Sequence, residues 1–60
     1  MNIQRFNQVS DSYYLVNGER RFARDVIRLK DHDPAWVKAF EQAFDFGFSS
    51  HLGFSIQKIG

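Results

Sequence analysis

Residues 13–34 read YYLVNGERRFARDVIRLKDHDP, and the fold turns on how RRFARDVIR within that stretch is read. Asn17-Gly18 sits between SYYLV and ERRFA. Both central residues of a two-residue type I′ turn need positive φ, which Asn-Gly tolerates best, so the flanks are expected to pair as a β-hairpin. Beyond the turn two periodicities compete. As a strand, Arg20, Phe22, Arg24, Val26 and Arg28 share one face while Arg21, Ala23, Asp25, Ile27 and Leu29 share the other, and neither face is apolar. As a helix, Phe22, Ala23, Val26, Ile27 and Leu29 gather on one side, with Arg20, Arg21, Arg24, Asp25 and Arg28 opposite. The hairpin demands a returning arm of about four or five residues. The expectation is therefore a strand to about Arg24 and extended structure to Leu29, with a bulge around Ala23–Asp25 absorbing the mismatch. A hairpin followed by two helices is the alternative.

The clearest element downstream is a helix over 34–46. Asp33 is a suitable N-cap, Pro34 fits the first helical position, and Asp31 adds negative charge near the positive end of the helix. Lys38, Glu41, Gln42 and Asp45 form one polar stripe, and Trp36, Val37, Ala39, Phe40, Ala43 and Phe44 fill the other side. Gly47 is placed to end the helix in the left-handed conformation. GFSIQKIG alternates as a strand, after a loop over Ser49-Ser50-His51-Leu52-Gly53, and NIQRFNQV is expected as a further strand turning at Ser10-Asp11-Ser12. The predicted fold class is α+β: a small antiparallel sheet, made of the hairpin and one or two further strands, with a single amphipathic helix packed on one face.

Sixty residues make one small domain, and a chain of that size buries only about 60% of the surface its unfolded form exposes. With no cysteine, disulfides and thiolate metal sites are excluded, and the core must come from seven Phe, two Tyr and one Trp. The apolar residues never run together over the ~20 positions a membrane span needs. MNIQRFNQVS lacks the apolar core of a signal peptide, so a cytoplasmic location is expected. Net charge is only +1, yet it is unevenly spread. Arg20, Arg21, Arg24, Arg28 and Lys30 outweigh Glu19 and Asp25, whereas Asp31, Asp33, Glu41 and Asp45 outweigh Lys38. The middle of the chain is basic and the helix acidic.

Asp31-His32-Asp33 with His51 is the one grouping of metal-ligand type, but adjacent residues in a tight turn rarely converge on one ion, and no metal or other cofactor is expected. No Gly-rich phosphate loop, cysteine nucleophile or Ser–His spacing of known type is present, so catalysis is not expected. Two binding readings remain. Arg20, Arg21, Arg24, Arg28 and Lys30, with Phe22, Tyr13 and Tyr14 nearby, have the residue types of a phosphate-and-stacking surface for nucleic acid. Trp36, Glu41, Asp45, Phe46 and Phe48, with Phe54, place aromatics beside charge as protein interfaces do. The second reading leads. It describes a non-catalytic module that binds a larger protein or nucleoprotein, with a homodimer as a further option. Size and the absence of catalytic apparatus suit small stoichiometric inhibitors of phages and mobile elements, used in host takeover or against host defence as anti-CRISPR proteins are.

Overall fold

The computed structural model describes residues 3–59, which form an α+β fold of three helices and one four-stranded antiparallel sheet. In chain order the elements are α1 (Ile3–Ser10), β1 (Tyr13–Val16), β2 (Glu19–Phe22), α2 (Ala23–Leu29), α3 (Pro34–Phe46), β3 (Phe48–His51) and β4 (Phe54–Lys58). The strand order is β2-β1-β4-β3, with β2 and β3 at the edges. β1 and β2 pair from Tyr13↔Phe22 to Val16↔Glu19, closed by Asn17 (φ 53°) and Gly18 (φ 82°), the double positive φ of a type I′ turn.

Helix α3 starts and stops on local chemistry. The Asp33 carboxylate accepts the Ala35 N–H at 2.9 Å, Pro34 occupies the first turn, and Gly47 takes φ 85° while its N–H bonds the Ala43 carbonyl at 2.8 Å. Trp36, Ala39, Phe40 and Ala43 face the sheet. The two alanines, one turn apart, let the helix lie close, and the Ser49 hydroxyl reaches the Ala39 carbonyl at 2.6 Å. Tyr14, Val16 and Ile56 meet the helix from the sheet, with the Tyr14 ring edge-on to Phe40 at 5.0 Å. Phe44 is partly buried at the margin, under the Lys58 ammonium.

Three expectations are corrected. The segment expected as strand NIQRFNQV is helix α1 from Ile3 onward, because Phe6, Val9 and Ser10 recur at helical spacing and Val9 enters the core at 1% exposure. The extended structure expected to Leu29 ends at Phe22. Ala23 and Ile27, one turn apart, are buried and Val26 packs beside them, so the helical period prevails once a strand would have left no apolar face. The loop expected over Ser49-Ser50-His51-Leu52-Gly53 is mostly strand. β3 pairs with β4 from Phe48↔Gln57 to His51↔Phe54, and only Leu52 (φ 50°) and Gly53 (φ 80°) form the turn. Instead of a single helix there are three.

Alternation assigns the sheet's two faces. Tyr14, Val16, Ser49 and Ile56 are buried under the helices. Tyr13, Leu15, Arg20, Phe22, Phe48, Ser50, Ser55 and Gln57 lie on the opposite face, which no helix among the described residues covers.

Candidate functional site

Sheet register builds the outer face row by row. Phe22 is opposite Tyr13, and Ile59 continues that row through its N–H to the Tyr13 carbonyl at 3.3 Å. The next row runs Arg20, Leu15, Gln57, Phe48 across all four strands. Ser55 and Ser50 follow, toward the Asn17-Gly18 turn. The face grades from aromatic at one end to small and polar at the other. The Tyr13 and Phe22 rings sit 4.9 Å apart, and the Arg20 guanidinium lies 4.2 Å from the Tyr13 ring centre. That contact fixes a flexible side chain over an aromatic surface and adds a cation–π attraction. Tyr13, Phe48 and Ile59 are exposed and Phe22 is half-buried.

Among the described residues no carboxylate belongs to these rows. Asp11 bonds Arg24, Glu19 pairs with Arg21 along the helix side of β2, Asp25 pairs with Arg28 on α2, and Asp31 and Asp33 lie in the turn before α3. Glu41 and Asp45 are held from α1 by Arg5, whose guanidinium bonds Asp45 and reaches Glu41 at 3.4 Å. The bond from Arg5 is the main reason the Asp45 carboxyl is held below the usual carboxylate range. Glu41 and Asp45 of the acidic stripe expected to meet a partner are thus paired with the protein's own α1, while both side chains keep more than a third of their surface exposed.

The structure also separates the residues grouped by sequence. Trp36 is withdrawn into the core at 2% exposure, edge-on to Phe54 at 5.2 Å and His51 at 5.0 Å, so it is not a surface contact. Phe46 is 81% exposed and Phe48 is 51% exposed, two residues apart where α3 passes into β3. The basic residues diverge. Arg20 lies on the outer face, Arg21 on the helix side of β2, and Arg24 and Arg28 on α2. Arg24 is tied to Asp11 at 3.0 Å and to the Ser10 hydroxyl at 3.2 Å. Lys30 lies over the Trp36 and Phe54 rings at 5.4 and 5.5 Å. Tyr13, Phe22 and Arg20 were each visible in the sequence, but their union with Phe48 was not, because it depends on β1 pairing with the distant β4.

Grooves flank the helices, two of them larger than about 400 Å³. One, of about 480 Å³, lies between α1, α2 and α3, floored by Phe6, Ile27 and Val37 with His32, Lys38 and Glu41 at its rim. The other, of about 430 Å³, opens between β2 and α2 over Trp36 and Phe54, is bordered by Arg21 and Lys30, and extends to Tyr13, Arg20 and Phe22. Among the described residues no group of three or more His, Asp or Glu is placed to hold a metal ion, and no helix is long and apolar enough to cross a membrane. No family model, curated protein or solved structure matches this chain.

Proposed function

We propose that this chain is a non-catalytic binding module that docks on a larger protein through its uncovered sheet face, acting stoichiometrically as an inhibitor or modulator. The observation that carries this is the grouping of Tyr13, Leu15, Phe22, Phe48 and Ile59 on one face whose only formal charge among the described residues is Arg20. Aromatic groups around a fixed arginine are the residue types that dominate binding energy at protein interfaces. A surface whose described residues are mostly apolar, with Arg20 as their one charge, complements a partner patch that is apolar and carries a carboxylate able to bond Arg20 in bidentate fashion.

A single-stranded nucleic acid is the second reading. Ring pair Tyr13–Phe22 and the stacked Arg20 favour it, since bases stack on such surfaces, and Gln57, Ser50 and Ser55 offer neutral hydrogen bonds. It is the weaker reading because four of the five basic side chains of 20–30 lie off this face, leaving few phosphate contacts.

The test is affinity capture by the wild-type protein and by Phe48→Asp and Tyr13→Asp variants, with and without nuclease, followed by titration of the captured protein. Saturation near a fixed molar ratio, insensitive to nuclease and lost in both variants, supports docking. Retention that nuclease abolishes, or that falls steeply with salt, transfers the face to nucleic acid. Inactivation of successive portions of partner by sub-stoichiometric protein would mean catalysis and end the proposal.

A further inference from the structure

The two sheet edges are protected very differently. β2 carries Glu19, Arg20 and Arg21 along its four residues, and charge of that density discourages another strand from adding. β3 reads Phe48-Ser49-Ser50-His51, with no acidic or basic side chain apart from a histidine, no proline and an uninterrupted register to β4. Its free hydrogen-bonding groups follow from the ladder. Lys58 N–H bonds the Gly47 carbonyl at 3.1 Å, so Gly47, Ser49 and His51 bond inward to β4. Antiparallel strands alternate, and the N–H and C=O of Phe48 and Ser50 therefore point away from the sheet.

We infer that β3 pairs with β3 of a second copy of this chain, antiparallel about a two-fold axis through Ser49, joining two sheets into one of eight strands. Only this register uses all four outward groups of each copy, because Phe48 then exchanges both bonds with Ser50 of the other copy. A two-fold axis at Phe48 or at Ser50 leaves one of those residues without an extended partner, since Phe46 is helical and Leu52 is in the turn. The same register sets each large Phe48 opposite a small Ser50. It also brings the two Phe48 rings to diagonal positions about 7–8 Å apart, within reach of each other. Counting outward, Phe46 falls opposite Leu52 of the other copy, and these are 81% and 75% exposed in the single chain.

α3 packs on both β3 and β4. Its Glu41 and Asp45 are paired with Arg5 of α1. Small and neutral groups along the β3 edge suit a second copy.

Pairing brings Phe48 beside its copy at one end of the outer face, leaves Tyr13, Leu15, Arg20 and Phe22 open, and does not depend on the proposed docking there. Its test is sedimentation equilibrium with amide hydrogen exchange on the wild-type protein at rising concentration. The expected result is a shift from the 7.1 kDa monomer to twice that mass, accompanied by slowed exchange at Phe48 and Ser50 but not at the Arg20 and Phe22 amides of the other edge. Ser50→Pro removes an outward N–H without touching the β3–β4 bonds, and it should return the mass to that of the monomer with an unchanged circular dichroism spectrum. A monomer at all concentrations, protection confined to Arg20 and Phe22, or a folded Ser50→Pro variant that still dimerises would each overturn the inference. Loss of partner binding in Tyr13→Asp with dimer mass retained would separate this interface from the docking face.

Discussion

Tyr14→Phe is the sharpest test of how the core is held together. The Tyr14 ring is fully buried, and its hydroxyl donates to the Val9 carbonyl at the end of α1 at 2.9 Å, tying that helix to β1. Removing the hydroxyl leaves the carbonyl short of a partner, at a cost of about 1–3 kcal/mol near neutral pH. A domain of this size has roughly 3–9 kcal/mol in total, so the loss should be plain in urea unfolding followed by circular dichroism. Alkaline pH adds a second signature. Burial, the principal cause, pushes the Tyr14 phenol from 10.0 up to about 12. In the folded state the phenol therefore keeps its proton at pH values where the unfolded chain has released it. Stability from this source is complete below pH 10 and declines as pH rises toward 12. At about 1.4 kcal/mol per pH unit, the full interval is worth about 3 kcal/mol. The phenylalanine variant has no such decline, so the gap between the two proteins should narrow by about 1–1.5 kcal/mol by pH ~11. A gap that stays constant from neutral pH to that point would show that Tyr14 is not buried and bonded as described.

Phe40→Ala should cost about 3–5 kcal/mol and leave much of the protein unfolded, whereas Gln42→Ala and Lys38→Ala should stay within about ±0.5 kcal/mol in the same assay. Equal sensitivity at Phe40 and Gln42 would mean the buried face of α3 is misassigned. Arg5 lowers the Asp45 pKa, so the pair adds stability above the ordinary carboxylate range and loses it as pH falls through the lowered value. The stability difference between wild type and Asp45→Asn should accordingly vanish in acid, and a difference unchanged by acid would refute the pairing. Gly47→Ala forces an alanine to φ 85° and should cost about 1–2 kcal/mol, measured by thermal unfolding. No loss there would mean that the end of α3 does not need its left-handed residue.

Local chemistry in the sequence was enough for some elements. Asp33, Pro34 and Gly47 mark both ends of α3 without reference to the rest of the chain, since a cap and a left-handed stop act within a few residues. Asn17-Gly18 likewise specifies the first hairpin, because the positive φ that its turn needs is a property of those two residues. Where two periods compete, the answer lies elsewhere in the fold. Residues 23–29 become helical because Ala23 and Ile27 find a core to enter, and Ile3–Ser10 does so because Val9 meets Tyr14. β3 is a strand because β4 supplies its hydrogen bonds, although FSSH carries little strand propensity of its own. Trp36, read as a surface aromatic, is claimed by Phe54 and His51. Glu41 and Asp45 are claimed by Arg5, from 36 and 40 residues earlier in the chain. The outer face has the same origin: Phe48 joins Tyr13 and Phe22 only through the pairing of β1 with β4 and of β4 with β3. Turns and caps are decided by neighbours in sequence. Burial, register and the sharing of charges are decided by neighbours in space, which a short apolar or basic stretch does not specify.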